Sequence, residues 1–349
     1  MKPPLVTIIT PTFNHARFVA ECINSVRNQH YTNWEQIIID DDSSDSTWDI
    51  ICAYMNIDTR IRGFKQKHEG IWNLKNTYNR ALDLAEGQLI AILEGDDYWF
   101  PDTLNILVNE ITTLPDSYGM VYGKAITVGR LHAEKVGRNF LKLQDYRFPW
   151  SFSHQIYAPI ASIPPQSCLI KKEVLIEIGG FHQPASLPLV DRPTFLELSL
   201  RYRIHHVNFV LSYWRQHGTN VTSIYALEMA VGAIPWMQSF FEQYKKLEGL
   251  QISCPQATRM HEMRAFHLAI SMISEQLKTK GKRVRIQSLR NIVVCIRRMS
   301  MKHKLLIWLN VICVSLSIDI RPVFYFTKGF IDYFYTFRTA IPYYRAPKD

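Results

Sequence analysis

The chain has 349 residues, of which 47% are hydrophobic and 20% are charged, with a formal net charge of +9. This composition is typical of a folded globular protein, and it excludes a disordered tail, a collagen and a disulfide-rich scaffold. The six cysteines form neither a CxxC pair nor a cysteine and histidine spacing of the kind that binds zinc. Because Met1–Pro4 also lacks a signal-peptide pattern, we expect reduced thiols in a cytoplasmic protein.

The first 100 residues alternate between short apolar runs, which predict strands, and stretches with helical spacing. In chain order these elements are a strand at 5–10, a helix at 15–29, a strand at 34–39, helices at 46–55 and 75–85, and a strand at 89–93. Strands that are apolar throughout and separated by helices predict a parallel sheet covered on both faces. Ligands of such sheets bind beyond the carboxyl ends of the strands.

The later sequence divides into an irregular part and a helical part. Residues 115–225 contain several proline and glycine breaks, and we expect them to extend the first domain and form its acceptor-facing wall. From about Tyr225 onward the pattern becomes helical. The sequence therefore predicts an α/β domain at 1–225 and a basic, helical carboxyl-terminal region at 226–349.

Two acidic clusters follow predicted strands, at Asp40–Asp42 and Glu94–Asp97. Carboxylates grouped at a sheet edge suit Mg²⁺ or Mn²⁺, which prefer oxygen ligands and keep open positions for phosphate oxygens, and Gly95 leaves room for a ligand to approach. The alternatives are a solvated acidic turn and a helix cap. No glycine precedes Gly63, which excludes a dinucleotide fingerprint or a P-loop in the first turn.

Three stretches in this order, 6–14, 37–47 and 79–97, resemble glycosyltransferase family 2, whose members have the GT-A fold. The resemblance covers roughly residues 4–222. It implies a Rossmann-like α/β fold with a mixed, mainly parallel sheet flanked by helices, here with a carboxyl-terminal helical extension. It also implies an inverting, metal-assisted enzyme that uses a nucleotide-diphospho-sugar and Mn²⁺ or Mg²⁺.

The resemblance carries site residues over to this sequence. Asp41 matches the carboxylate that recognises the base, and Asp96 and His217 match metal-binding positions. The full set implied to contact the nucleotide-sugar is Pro11, Thr12, Phe13, Asn14, Asp41, Lys75, Asn79, Glu94, Gly95, Asp96 and Arg215. The sequence departs from the family at Glu94, where Asp is more frequent, and at Asp42, where Gly is usual.

The family's catalytic base follows a Gly-Gly-Phe turn by about ten residues. In this sequence Gly179–Phe181 is such a turn, and Asp191 stands at the matching distance. The resemblance therefore implies that Asp191 deprotonates the acceptor hydroxyl, although Val190 replaces the Glu that usually precedes it. The alternative is that Asp191 caps a helix and pairs with a nearby arginine, in which case Glu197 is the next candidate base.

The implied function is transfer of a sugar to a glycan or lipid-linked acceptor in cell-surface polysaccharide biosynthesis. A non-catalytic nucleotide-sugar-binding partner subunit is the alternative, and the missing Glu before Asp191 keeps it open. A phosphoacceptor receiver-like domain also has acidic strand ends, but this chain is far too long and its motif order is different.

Ten lysine and arginine residues and no acidic residue lie between Gln276 and Ile318. Basic faces beside short apolar helices favour binding to an anionic membrane surface, here through 280–335. The alternative is a helical subdomain whose charges are only hydrated. No nucleic-acid motif accompanies the charge, so we expect no nucleic-acid partner. The expected location is the cytoplasm, either free or at the inner face of the cell membrane.

Overall fold

The computed structural model describes residues 3–129, 135–136 and 163–244. Its strands are β1 (Val6–Thr12), β2 (Trp34–Asp40), β3 (Ile61–Lys65), β4 (Leu89–Ile92), β5 (Tyr98–Trp99), β6 (Tyr118–Gly129), β7 (Lys135–Val136), β8 (Cys168–Lys171) and β9 (Arg203–Gln216). Its helices are α1 (Val19–Arg27), α2 (Thr47–Met55), α3 (Leu74–Leu84), α4 (Thr103–Thr113), α5 (Lys172–Glu177), α6 (Asp191–Ser199), α7 (Val221–Ile224) and α8 (Ala226–Tyr244). One-turn 3₁₀ helices lie at Ile71–Asn73 and Pro165–Ser167.

The strands form one mixed sheet in the order β3-β2-β1-β4-β8-β6-β9-β5, with β7 beside β6. Strands β1 to β4 are mutually parallel, and β9 runs parallel to β6. Strand β8 joins the two parallel groups by antiparallel pairs with β4 and β6. The predicted α/β class with a mixed, mainly parallel sheet and flanking helices is confirmed.

Strands β1, β2 and β4 are buried at every position, as expected for strands covered on both faces. Alternate residues of β2 divide between two cores. Ile37 and Ile39 pack with the helix face that carries Tyr78 and Leu82, whereas Ile38 packs with Ile23 and Ile51 on the other side. The apolar runs of the sequence therefore fix the centre of the sheet.

Strand β3 was not predicted. It is the edge strand beside β2, and only Ile61 among its residues is buried. Arg62, Gly63 and Lys65 interrupt its apolar pattern, and as an edge strand it has a strand partner on one side only. Pairing with β2, and not hydrophobicity, defines this strand.

The described residues divide between two compact units. Residues 3–225 and Gln238–Tyr244 belong to one unit, and Ala226–Met237 belongs to the other. No helix among the described residues is both long enough and apolar enough to span a membrane. The predicted region 226–349 and the basic segment at 280–335 lie largely or wholly outside the described residues, so both stay predictions.

Candidate active site

The carboxyl ends of β1, β2 and β4 bring the two acidic clusters together around the loop that follows β1. The N–H of Asp41 donates to the Thr12 carbonyl oxygen at 2.9 Å, and the N–H of Gly95 donates to the Pro11 oxygen at 3.1 Å. A Cβ on Gly95 would lie 2.6 Å from Thr12 Oγ1 and 2.9 Å from His15 Nδ1. Only a glycine at position 95 therefore lets the acidic turn pack this closely against Thr12 and His15.

Three carboxylates of the turn after β4 form a compact cluster. Glu94, Asp96 and Asp97 each offer an oxygen, and these atoms lie within 4.8 Å of one another. Burial and the charge of Asp96 raise the pKa of Glu94 to about 7, and the same causes raise the pKa of Asp97. Crowded carboxylates of this kind fit a hard divalent cation, which would relieve their repulsion.

Asp96 differs from its neighbours because it is well provided with donors. His217 Nε2 lies 3.0 Å and Asn220 Nδ2 lies 3.1 Å from Asp96 Oδ2. Burial pushes the pKa of Asp96 upward, but the hydrogen bond from His217 and the nearby histidine charges outweigh it, so the pKa is lowered. The two predicted metal ligands, Asp96 and His217, therefore stand side by side.

Arg215 fixes the acidic turn from the end of β9. Its N–H donates to Asp97 Oδ1 at 2.7 Å, and its Nε donates to the Asp96 carbonyl oxygen at 2.8 Å. The guanidinium also pairs with Glu21 at 2.6 Å and lies over the rings of Phe18 and Tyr98. Arg215 thus places a guanidinium group against the backbone of the acidic turn.

Asp191 is the first residue of α6, and its carboxyl group is buried. Burial raises the pKa of Asp191 to about 6, against the opposing effect of the Arg192 N–H and charge. Its Oδ1 has no hydrogen-bond partner among the described residues. The N-cap position is Val190. The charge of Asp191 also raises the pKa of Glu94 and Tyr78, so Asp191 lies within electrostatic range of both groups.

The fallback base occupies different surroundings. Glu197 lies further along α6, and its Oε2 accepts a hydrogen bond from Tyr244 Oη at 2.7 Å. This partner comes from the end of α8 and not from the acidic turn. The geometry therefore favours Asp191 over Glu197.

Tyr78 on α3 is a site residue that the sequence analysis missed. Its Oη donates to Glu94 Oε1 at 2.6 Å, and its ring centroid lies 5.1 Å from that of Phe181. In the sequence, Tyr78 is marked only by its position on the apolar face of α3, one turn before Leu82. That pattern favours a core residue, so the hydroxyl contact could not be predicted from spacing.

Asn79 and Lys75, which we expected beside the diphosphate, have other contacts in this structure. Asn79 Nδ2 donates to the Phe181 oxygen at 3.0 Å, and its Oδ1 accepts the Phe181 N–H at 2.7 Å. The Lys75 side chain is exposed, while its N–H donates to Gln183 Oε1 at 2.9 Å. Asn79 thus holds the Gly-Gly-Phe turn that leads to Asp191.

The loop after β1 is tied to the loop after β2. Asn14 adopts a left-handed φ of 54°, donates its N–H to Ser43 Oγ at 2.9 Å and accepts the Ser44 N–H at 2.9 Å. Asp42 also has a positive φ, of 62°, which explains why a glycine is usual here: only Gly, Asn and Asp adopt this conformation readily.

Asp41 and Phe13 both contact the loop Gln66–Gly70. The Phe13 and His68 rings are stacked with centroids 4.4 Å apart, and His68 Nδ1 lies 2.9 Å from Asp41 Oδ2. Gln66 and the N–H groups of Glu69 and Gly70 also donate to the Asp41 carboxylate. Phe13 and Asp41, two of the residues implied to contact the nucleotide-sugar, are therefore joined through His68.

Comparison with known sequences covers the part of the site that lies before the Gly-Gly-Phe turn. The family model "Glycosyl transferase family 2" matches residues 7–178. TuaG of Bacillus subtilis, named as a teichuronic acid biosynthesis glycosyltransferase, is 38% identical over 102 residues, which are 29% of this chain and 39% of that protein. A UDP-Glc:α-D-GlcNAc-diphosphoundecaprenol β-1,3-glucosyltransferase of Escherichia coli, WfgD, is 32% identical over 40% of this chain and 56% of its own.

The matches thus span less than two thirds of TuaG and of WfgD. A longer match is to EpsH of Bacillus subtilis, also named as a glycosyltransferase, which is 24% identical over 84% of each chain. The chain therefore resembles glycosyltransferases both locally at higher identity and along most of its length at lower identity.

Solved structures share the fold. Staphylococcus aureus TarS, residues 1–349 in complex with UDP-GlcNAc, superposes with a TM-score of 0.58 at 16% identity, covering 86% of this chain and 82% of that one. The mannosyltransferase PcManGT of Pyrobaculum calidifontis, in complex with GDP-Man and Mn²⁺, gives a TM-score of 0.50 at 16% identity, covering 90% and 87%. At such identities the likeness concerns the fold alone.

Proposed function

Residues 7–178 form a glycosyltransferase family 2 domain with a GT-A fold, and from this premise we propose that the protein transfers a sugar from a nucleotide-diphospho-sugar to a hydroxyl group of a glycan or lipid-linked acceptor. The observation that carries the proposal is that the charge of Asp191 acts on Glu94 in the acidic turn after β4, while burial raises the pKa of Asp191 itself to about 6. A general base and a turn that can hold a divalent cation for the diphosphate are the two requirements of this reaction.

Asp191 is the base of the proposed reaction. A carboxylate with a pKa near 6 is mostly ionised at neutral pH, yet it is more basic than an ordinary aspartate, which favours proton transfer from an acceptor hydroxyl. Its unpartnered Oδ1 is available to accept that proton. As the hydroxyl oxygen forms its bond to the anomeric carbon, the bond to the diphosphate breaks, and in-line attack inverts the configuration.

The diphosphate side of the site fits a divalent cation. Asp96 and His217 would hold Mn²⁺ or Mg²⁺, with Glu94 and Asp97 nearby. The bound ion would neutralise the charge of the leaving diphosphate. The structure of PcManGT with Mn²⁺ supports testing manganese first.

The donor and acceptor classes follow from the relatives. TarS is solved with UDP and UDP-GlcNAc, so a UDP-sugar is the first donor to test. The names of TuaG and WfgD refer to teichuronic acid and to a diphosphoundecaprenol-linked acceptor. We therefore propose a role in cell-surface polysaccharide biosynthesis.

The first experiment is a thermal-shift titration with UDP, GDP and dTDP, each with Mn²⁺ and with EDTA. A nucleotide at 100 times its dissociation constant adds about 2.7 kcal/mol to the free energy of unfolding. We expect a raised midpoint with one nucleotide when metal is present. No shift with any nucleotide would count against the proposed donor site.

A non-catalytic nucleotide-sugar-binding subunit is the second candidate, because Val190 stands where the family usually has Glu. Both candidates bind nucleotide, so donor turnover separates them. We expect release of nucleoside diphosphate from the donor when acceptor is supplied. Binding without release under all acceptor conditions would favour the non-catalytic subunit.

A further inference from the structure

His68 lies between Asp41, the residue implied to recognise the nucleobase, and Phe13, which is implied to contact the nucleotide-sugar. Its ring stacks on Phe13 with centroids 4.4 Å apart and an interplanar angle of 27°. Its Nδ1 lies 2.9 Å from Asp41 Oδ2 and 3.0 Å from the Asp41 carbonyl oxygen. Because Nδ1 faces two acceptor oxygens, the proton is on this nitrogen and is donated to Asp41.

The Asp41 carboxylate has no acceptor position left for a ligand. Gln66 Nε2 and the Glu69 N–H donate to Oδ1, at 2.8 and 3.1 Å. The Gly70 N–H donates to Oδ2 at 3.2 Å, beside His68. A carboxylate accepts about four hydrogen bonds, and these four donors fill it.

These contacts are the ones a nucleobase would make, namely stacking on an aromatic ring and donation of a ring N–H to a carboxylate. We infer that His68 occupies the nucleobase subsite of the donor pocket and that the base of the donor takes its place. The inference rests on the proposed function, since it takes Asp41 as the carboxylate that recognises the donor base and Phe13 as part of the loop that contacts the nucleotide-sugar, as the family resemblance implies. His68 thereby becomes a determinant of donor affinity.

The exchange requires a local movement only. The His68 side chain is 47% exposed and Phe13 is 41% exposed, so the imidazole can swing into solvent without disturbing the core. The other three donors to Asp41 come from Gln66 and from the backbone, and they keep the carboxylate oriented. Departure of His68 frees one position on Oδ2, which suits a single ring N–H from a base.

Competition of this kind lowers the apparent affinity for the donor. When only a fraction of molecules has an open subsite, the apparent dissociation constant is the intrinsic constant divided by that fraction. A subsite open about one tenth of the time costs about tenfold in affinity. Removal of the imidazole should therefore strengthen nucleotide binding, whereas removal of an ordinary binding residue weakens it.

The test compares the His68→Ala variant with the wild type by isothermal titration calorimetry in a Mg²⁺ buffer. The ligands are UDP, GDP and dTDP, with inorganic pyrophosphate as a probe that lacks a base. We expect the nucleotide that binds to bind about tenfold more tightly to the variant, and pyrophosphate to bind both proteins equally. The matched control is His30→Ala, another exposed histidine, whose ring pairs with Asp102 at 2.8 Å; we expect its nucleotide affinity to be unchanged.

A second measurement uses the wild-type protein. The His68 ring resonances should shift on addition of the bound nucleotide and should not shift with pyrophosphate. Unchanged or weaker nucleotide binding in His68→Ala, while the wild type binds, overturns the inference and leaves the proposed function intact. If neither protein binds any of the three nucleotides, the proposed donor site is wrong and the inference falls with it.

Discussion

Burial of the Asp191 carboxyl group determines the pH at which this residue can act as a base. Burial raises its pKa to about 6, and a base acts only in its ionised form. We expect kcat/KM for sugar transfer to fall as the pH drops below about 6, and Asp191→Asn to lower the rate by about 10²- to 10⁴-fold with nucleotide binding retained.

The control for this prediction is Glu197→Gln, on the same helix, which should keep the rate. A pH profile and single-variant kinetics with a labelled donor provide the measurement. Full activity in Asp191→Asn together with loss in Glu197→Gln would transfer the role of base to Glu197.

The same burial has a cost in stability at neutral pH. An aspartate with a raised pKa in the folded protein stabilises that state at low pH, and the contribution is lost as the pH rises through about 6. Asp191→Asn cannot ionise, so its free energy of unfolding should exceed that of the wild type by up to about 3 kcal/mol at pH 7.5. At pH 4 the two proteins should unfold alike. Urea denaturation at both pH values tests this; an equal difference at the two values would contradict it.

Substitution of Asp96 tests whether a divalent cation binds at the acidic turn. His217 and Asn220 hold its carboxylate in place, and a neutral amide attracts a divalent cation less strongly than a carboxylate does. Asp96→Asn should therefore abolish the Mn²⁺-dependent part of the nucleotide thermal shift. Asp102→Asn, which changes an exposed carboxylate beside His30, should retain it. Equal metal dependence in both variants would place the ion elsewhere.

At the scale of elements, helix α3 connects the two halves of the site. Tyr78 contacts Glu94 on the donor side, and its neighbour Asn79 holds the backbone of Phe181 on the base side. The turn between Phe181 and α5 contains Gly179 and Gly180, at φ values of 88° and 87°. Successive side chains of one helix thus set the relation between the acidic turn and the segment leading to Asp191.

This turn offers a matched pair of variants. A Cβ at Gly180 would overlap Asn79 Oδ1, whereas a Cβ at Gly179 would meet no atom of the described residues within 4 Å. Both alanines bear the strain of a positive φ, about 1–3 kcal/mol, but Gly180→Ala should cost more and should also reduce activity. Thermal unfolding of the two variants gives the comparison. Equal losses would show that the Asn79 contact is unimportant.

The sequence predicts well the parts of the structure that depend on local pattern. The apolar runs identify β1, β2 and β4, and the acidic residues after β2 and β4 are predictable because parallel strands end at one edge of the sheet. Strand β3 escapes because an edge strand lacks that pattern. The contacts of Tyr78 with Glu94 and of His68 with Asp41 are not predictable from the sequence pattern. They depend on how a helix and a loop pack against the sheet in three dimensions.

Asn79 shows the limit of transferring roles by position. The resemblance implied a place beside the diphosphate, but the structure uses both amide atoms for the Phe181 backbone. Motif spacing locates a residue along the chain, while its side-chain partner depends on which segment packs against it.

At the scale of the whole molecule, the distribution of charge predicts a membrane partner. The ten basic residues between Gln276 and Ile318 should bind vesicles that contain anionic lipid, with about 1 kcal/mol per basic residue near the surface. Co-sedimentation should decline as salt rises and should be weak with purely zwitterionic vesicles. A variant with these residues changed to glutamine is the control. Equal binding of both proteins would show that the segment is not a membrane anchor.

The joint attachment of α3 to both halves of the site has a consequence for cooperativity. Protein segments that share tertiary contacts open together, as one unit in native-state hydrogen exchange. Tyr78 and Asn79 are consecutive residues in the middle of α3. Unfolding of this helix therefore breaks the contact with Glu94 and the contact with Phe181 in a single event. We therefore expect the backbone amides of the acidic turn and of the Gly-Gly-Phe turn to exchange with one common opening free energy, although Gly95 and Gly180 are 85 positions apart in the sequence. The donor site and the base would then be lost together in that opening.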